Sequence, residues 1–416
     1  MKTIEKKYLI PFILVSLLFL LWGIANNMTD TLLSAFKRIM SMSDAQTSLI
    51  QFAFYGSYFC FALPAALFIR KYSYKAGIIL GLILYAGGTM LFFPASQLAS
   101  YTFYLVAIYV MAGGCSILET TANPYILAMG DPQTATRRLN FAQALNPIGS
   151  IIGILMSKYF ILGQLNTAGA DERAQLTTDQ LEQMQSAELS AVTNTYMSVG
   201  AILIAIMIGM LLVKMPKGGD AASGTLMQSF RRLLKNKPYT LGVLAMFCYV
   251  GAQIGVWSFT IRIVMQELGV LEAEASNIYL WSIILFCLAR FVFTWLMKYF
   301  SPNLLMVWAA GLDVVLCAIV ILCGGTGWFL VGALVLVSFF MSLQFPTIYG
   351  IALEGVGNDA KIGASGLIMA ILGGAVITPL QGQVSDMFGI NIAYVVPMLC
   401  FVGVFAYSLY SLRLKR

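Results

Sequence analysis

The chain has 416 residues, of which 59% are apolar and 10% are charged. This composition excludes an ordinary water-soluble globular domain, in which about 25% of residues are charged. The sequence contains no histidine, which excludes metal sites built on imidazole, and its seven cysteines lie in or beside apolar segments, as is typical of small core residues.

Apolar segments follow one another along almost the whole chain. A bilayer core about 30 Å thick is crossed by about 20 mostly apolar residues in an α-helix, and we predict twelve such spans. The first one lacks a small-residue cleavage site and is therefore expected to be a retained helix. The predicted spans lie near residues 8–33, 47–69, 76–96, 101–130, 138–162, 192–213, 239–265, 276–299, 303–323, 327–352, 362–385 and 391–412.

A basic segment that contains glycines, residues 215–237, separates the first six spans from the last six. We therefore predict an all-α membrane protein with two six-helix bundles, residues 1–214 and 238–416, joined by this segment as a cytoplasmic linker. Such bundles allow alternating access, in which one rocks against the other around a site near the membrane midplane. Most lysines and arginines fall on the side that holds both termini, so the positive-inside rule places the termini in the cytoplasm. The net charge of +7 reflects this bias and indicates no nucleic-acid partner.

Asp30 and Glu119 are the sharpest candidates among the carboxylic acids within predicted spans, where an ionisable side chain costs about 2.5–3.5 kcal/mol and therefore suggests a function. Asp30 closes a polar run in the first span, three residues after Asn27 and on the same helix face. Glu119 lies in the middle of the fourth span. Because these spans each begin a three-helix unit, we expect both acids to line one cavity, bind a proton and accept hydrogen bonds from sugar hydroxyls. The alternatives are that Asp30 is solvated near the outer surface and that Glu119 only ties helices together.

Amide and aromatic side chains in other spans are further candidates for substrate binding. Gln143 and Asn146 are three residues apart in the fifth span, so both can point inward, although amides also cross-link membrane helices. Gln253 and Trp257 are one turn apart in the seventh span, and Phe345 lies in the tenth. The aromatic rings can stack on a sugar ring or serve packing alone.

Four other charged residues in the spans have a different interpretation. Arg262, Arg290 and Lys158 are expected near helix ends, where long side chains reach the membrane interface and act as anchors. Asp313 lies in the middle of the ninth span. It can pair with a basic residue of a neighbouring helix, provide a second protonation site, or remain protonated, and the sequence does not choose among these.

Seven segments together are specific for one known group of proteins. They are WGIANNMTD (22–30), SYKAG (73–77), LETTANP (118–124), RLNFAQALN (138–146), FCYVGAQ (247–253), QFPTI (344–348) and TPLQGQVSD (378–386). With them the chain resembles the major facilitator superfamily, and within it the L-fucose:proton symporters and their relatives, the glucose/galactose and N-acetylglucosamine permeases. The resemblance implies that Asp30 and Glu119 serve proton coupling and sugar binding, and that Asn27, Gln143 and Asn146 line the cavity. Phe345 departs from the group, because the fucose symporters have a tyrosine there.

These observations predict a proton-coupled symporter of the bacterial inner membrane, not an enzyme. It would import L-fucose or a similar monosaccharide as a monomer embedded in lipid, with the proton as coupling ion and with no cofactor or metal. No Walker-type phosphate loop occurs, so the energy is expected to come from an ion gradient. The alternatives are a glucose/galactose or N-acetylglucosamine permease coupled to protons or sodium, a sugar sensor that does not transport, and a membrane glycosidase with paired acids.

Overall fold

The computed structural model consists of helices and short connections in the part of the chain that it describes. Twelve of the described helices are long and apolar enough to cross a membrane, which confirms the predicted all-α fold with twelve spans. They are α1 (Leu9–Ile39), α2 (Asp44–Lys71), α3 (Tyr74–Gln97), α4 (Tyr101–Ala128), α5 (Pro132–Gln164), α6 (Thr178–Leu212), α7 (Lys237–Leu268), α8 (Glu272–Leu296), α9 (Pro302–Leu322), α10 (Trp328–Ala352), α11 (Gly357–Phe388) and α12 (Ile392–Leu414). The structure describes residues 8–40, 42, 44–166, 172–173, 175–213, 215 and 225–414, without the side chains of residues 30–31, 33–34, 37–38, 44–48 and 272–273.

The start of α6 differs most from the sequence prediction, because the helix begins at Thr178 and not near residue 192. Thr177 and Gln180 form a capping box, in which each side chain bonds the backbone N–H of the other residue. Further along, Glu188 is buried and accepts two hydrogen bonds from Arg173, at 2.5 and 2.9 Å. The polar first turns of α6 are therefore helical because capping and a buried ion pair stabilise them without an apolar sequence.

The two halves of the chain repeat one pattern of helix packing. In the first half α1 packs on α5, α2 on α4, and α3 on both α4 and α6. In the second half α7 packs on α11, α8 on α10, and α9 on both α10 and α12. Each pair in the second half thus corresponds to a pair six helices earlier, as expected of two related bundles. The boundaries of the linker at 215–237 stay a prediction, and within them Leu226–Lys235 forms a helix.

Two side-chain contacts join the halves at the end of the bundle at which α1 begins and α12 ends, which we call the terminal end. Here Asn140 Nδ2 of α5 donates to Thr347 Oγ1 of α10 at 3.2 Å. Lys361 Nζ of α11 lies 5.0 Å from the centroid of the Tyr74 ring of α3. These contacts close the terminal end and place the space between the halves nearer the opposite end, which we call the far end.

Glycines allow α1 and α5 to pack backbone against backbone in the first half. A Cβ atom at Gly149 of α5 would overlap the carbonyl oxygen of Leu20, and one at Gly23 of α1 would overlap that of Asn146. Backbone atoms cannot move aside as a flexible side chain can. The two helices therefore depend on these glycines for their close approach, which also sets the position of Asn146.

Gly149→Ala is expected to lower the stability of the protein, because the added methyl group meets backbone. Overpacking of this kind costs about 1–3 kcal/mol. Gly87→Ala is the matched control, since a Cβ atom there has no neighbour within 4 Å and the exchange favours the helix. The measurement is the apparent melting temperature in detergent, which should fall for Gly149→Ala and not for Gly87→Ala. Equal melting temperatures would contradict the packing argument.

Candidate functional site in the central cavity

A cavity of about 440 Å³ lies between the two halves. Helices α1, α2, α4 and α5 line it from the first half, and α7, α8, α10 and α11 from the second. Its volume is within the range of roughly 300–1,000 Å³ that is usual for small-molecule sites. On α2 the lining residues lie between Gln51 and Tyr58, in the part of the helix nearer its start at the far end. The cavity therefore extends toward the far end and is closed at the terminal end.

Glu119 of α4 supplies a carboxylic acid to the cavity wall. The residue is partly exposed, and its Oε2 atom is buried without a hydrogen-bond partner among the described residues. Tyr58 also lines the cavity and lies within electrostatic range of Glu119. Tyr349 of α10 lies within electrostatic range of Glu119 too, and its hydroxyl is buried without a hydrogen-bond partner in the described part of the chain. An acid in this position can hold a proton and can exchange hydrogen bonds with a ligand in the cavity.

A second layer of amides lies behind Glu119. Gln143 Nε2 donates to Asn123 Oδ1 at 2.7 Å, and Asn123 Nδ2 donates to the backbone oxygen of Glu119 at 3.0 Å. Asn123 is fully buried, and Gln143 is 5% exposed and is not among the lining residues. In this conformation Gln143 thus supports α4 from behind, and its predicted contact with substrate stays a prediction.

Asn27 and Asn146 line the cavity from α1 and α5, respectively. Asn27 Nδ2 donates to the Gly23 oxygen at 3.1 Å, and Asn146 Nδ2 donates to the Phe19 oxygen at 3.2 Å. Both amides are therefore held by the backbone of α1, beside the glycine contact described above. Asp30 continues the helix of α1, but its side chain lies outside the described part of the structure.

The second half contributes an aromatic and amide surface. Gln253 and Trp257 of α7 and Phe345 of α10 all line the cavity. Trp257 Nε1 donates to Ser338 Oγ at 3.2 Å, and its ring meets Phe286 edge to face at a centroid distance of 5.1 Å. The indole is therefore fixed in place, with its polar hydrogen satisfied. Rings held in this way can pack against the C–H face of a sugar without a large loss of side-chain entropy.

Arg290 corrects one interpretation of the sequence. It was expected at the membrane interface, but its side chain is 3% exposed and lines the cavity from α8. The guanidinium lies 5.1 Å from the centroid of the Phe286 ring, and its Nε atom has no hydrogen-bond partner among the described residues. Arg290 follows Phe286 by four residues and Ile283 by seven, and both also line the cavity. This helical spacing is the signal by which the sequence could have identified it.

The other three charged residues that were predicted within the spans lie in different environments. Arg262 and Lys158 are exposed, as expected of interfacial anchors. Asp313 is completely buried in α9, outside the cavity lining, and its Oδ2 atom accepts a hydrogen bond of 2.6 Å from Gln344 Nε2. Among the described lining residues, Glu119 is therefore the acid and Arg290 the base, and they come from opposite halves.

Two L-fucose-proton symporters are similar to the chain over almost its whole length. The L-fucose-proton symporter of Haemophilus influenzae is 41% identical to the chain, over 98% of this chain and 97% of the relative. The L-fucose-proton symporter of Escherichia coli is 37% identical, over 97% of this chain and 93% of the relative. Both relatives are transporters and not enzymes.

A solved transporter structure also matches the chain over almost its whole length. The crystal structure of the transporter FucP in the outward conformation matches with a TM-score of 0.90 at 37% identity, covering 98% of this chain and 99% of that chain. The sequence profile described as Major Facilitator Superfamily matches residues 13–379. The chain therefore belongs to the major facilitator superfamily.

Proposed function

We propose that this protein imports L-fucose, or a closely similar monosaccharide, together with a proton across the bacterial inner membrane. Two features support the proposal: the identity of 41% and 37% to L-fucose-proton symporters over nearly the whole chain, and the make-up of the cavity. The proton is the coupling ion and no cofactor takes part. The protein acts as a monomer in the lipid bilayer, with both termini in the cytoplasm.

The observation that carries the proposal is the position of Glu119 in a cavity that also presents amides and aromatic rings. Sugar hydroxyls both donate and accept hydrogen bonds, and a carboxyl group that gains or loses a proton changes which of the two it offers. Binding of the sugar and binding of the proton are then thermodynamically linked through one side chain. We assign Asp30 a part in the same coupling, on the sequence resemblance alone.

Because the terminal end is closed, the transport cycle begins at the far end. In the conformation described, sugar and proton enter from the far end, which the proposed orientation places outside the cell. To release them inside, the Asn140–Thr347 hydrogen bond and the Lys361–Tyr74 contact must separate while the far end closes. A ligand shifts such an equilibrium only through different affinities for the two states. The loaded carrier must therefore change conformation more readily than the carrier that has bound a proton alone.

The competing proposal is a glucose/galactose or N-acetylglucosamine permease, driven by protons or by sodium. Phe345 is the observation in its favour, because it lines the cavity without a hydroxyl, whereas the sequence resemblance implies a tyrosine at this position in the fucose symporters. A phenyl ring retains stacking and loses one hydrogen bond. Such a change alters the choice among sugars that differ in a single hydroxyl and leaves Glu119 unaffected.

Purified protein in liposomes is expected to accumulate labelled L-fucose when the exterior is more acidic than the interior. A protonophore should abolish the accumulation, and replacing sodium with potassium should not change it. Unlabelled L-fucose should compete more strongly than D-glucose, D-galactose or N-acetylglucosamine. Accumulation that requires a sodium gradient, or competition in which one of the other sugars is strongest, would reject this proposal in favour of the alternative.

A further inference from the structure

Asp313 and Gln344 form a buried pair behind the cavity, between α9 and α10. Gln344 Nε2 donates to Asp313 Oδ2 at 2.6 Å, and both side chains are 0% exposed. The remaining oxygen of each side chain, Asp313 Oδ1 and Gln344 Oε1, is also buried and meets no hydrogen-bond donor among the described residues. Two acceptors without donors on the same pair of residues require an explanation.

The groups around Asp313 do not supply a balancing positive charge. No basic side chain of the described residues lies within ion-pairing distance of it. The titratable groups near it are the phenol of Tyr249 from α7 and the thiol of Cys317 on α9 itself, and the guanidinium of Arg290 from α8 is in electrostatic range of Tyr249 but forms no ion pair. The Tyr249 hydroxyl donates to a backbone carbonyl of α10 at 2.9 Å, so its proton is used elsewhere. A carboxylate buried without a cation is strongly unfavourable, which favours the neutral acid.

We propose that Asp313 is held as a neutral carboxylic acid in a cyclic pair with Gln344, and that this pair positions Phe345 at the cavity. The acid O–H on Oδ1 donates to Gln344 Oε1, while Gln344 Nε2 donates to Oδ2. Each oxygen that lacked a partner then has one, and no charge remains in the pair. Asp313 is accordingly a positioning residue and not a second coupling site.

The link to the cavity runs through the interruption of α10. The helix stops after Met341 and starts again at Gln344, so Gln344 is the first residue of the second segment. Phe345 follows it directly and lines the cavity, with the rings of Tyr249 and Tyr349 at centroid distances of 6.3 and 6.4 Å. Fixing Gln344 to α9 sets the rotation of this segment, and so the direction of Phe345. The positioning of Phe345 by the Asp313–Gln344 pair does not depend on the proposed function. Only the identity of the ligand that binds in the cavity rests on it.

The test compares two substitutions in proteoliposomes. Asp313→Asn can make both hydrogen bonds of the cyclic pair and cannot ionise, so we expect a KM for sugar within about twofold of the unmodified protein and an unchanged pH profile. Asp313→Leu removes both bonds and should raise KM by about fivefold or more, with Gln344→Leu behaving alike and the double variant no worse than either one. Asp313→Asn that binds sugar but no longer couples it to protons would overturn the proposal. So would a KM for Asp313→Leu equal to that of the unmodified protein.

Infrared spectroscopy of the purified protein without sugar provides a readout that does not depend on transport. The protonated-carboxyl absorption that belongs to Asp313, obtained as the difference between the unmodified protein and Asp313→Asn, should be present from mildly acidic to mildly alkaline pH. If this Asp313-specific band disappears within the range, Asp313 ionises and the neutral pair is overturned. If the band persists but no sugar is transported, the proposed function fails and the neutral pair stands.

Discussion

Glu119→Gln is expected to abolish sugar-driven proton uptake while sugar exchange across the membrane continues. Glutamine has the shape of a protonated glutamic acid and can still form hydrogen bonds with a sugar, but it cannot release a proton. For one proton per sugar, a pH difference of one unit sustains about tenfold accumulation, since one unit corresponds to about 1.36 kcal/mol. In Glu119→Gln the accumulation ratio should fall to about one. The measurements are the alkalinisation of the medium on addition of sugar, and counterflow of labelled sugar.

The control is the same substitution at Glu182, which is exposed on α6 and outside the cavity. Glu182→Gln should keep both the alkalinisation and the accumulation. Counterflow distinguishes loss of coupling from loss of folding, because an unfolded carrier does not exchange sugar. Undiminished alkalinisation with Glu119→Gln would reject this residue as the coupling acid.

The twelve spans could be predicted because the bilayer imposes one requirement, about 20 apolar residues, on every helix. Where the reason for a helix is not apolarity, the prediction was wrong, as at the start of α6. There a capping box and the buried pair of Glu188 with Arg173 stabilise polar turns. Both are contacts between specific side chains, which average hydropathy does not detect.

The candidate site, too, could be predicted only in part from the sequence. Asn27, Glu119 and Asn146 were singled out as polar residues in apolar spans, and the structure places all three at one cavity. The placement of Gln143 behind Asn123 could not be foreseen, because an amide that lines a cavity and one that supports it have the same spacing in the sequence. Only the rotation of α5 against α4 decides between the two positions.

Arg290 was misinterpreted because its distance from the helix end was considered and its direction was not. It lies six residues before the end of α8 at Leu296, a distance that a long side chain can span by reaching outward along the helix. The structure instead directs it into the cavity, on the face of α8 that also carries Tyr279 and Phe286. Helix phase therefore decides between an anchor and a binding residue.

Arg290→Met is expected to raise the KM for sugar by about tenfold to a hundredfold. The guanidinium is buried at the cavity, its Nε atom meets no acceptor among the described residues, and it is the base opposite Glu119. We infer that sugar oxygens accept its hydrogen bonds. Hydrogen bonds to a charged group contribute about 1.5–3 kcal/mol, and each 1.4 kcal/mol changes affinity tenfold. The KM of Arg290→Lys should lie between those of the unmodified protein and Arg290→Met, because lysine keeps the charge but lacks the planar set of donors.

Arg262→Met is the matched control, since Arg262 is exposed on α7 and should change KM by less than about twofold. Stability separates binding from folding. Removing a buried charge that has no ionic partner among the described residues should not lower the melting temperature of the protein without sugar, because methionine fills similar space and needs no hydrogen bonds. The protection that added L-fucose gives against thermal unfolding should, in contrast, become weaker in Arg290→Met. If Arg290→Met kept the KM and the sugar-dependent protection of the unmodified protein, the guanidinium would not contact the substrate.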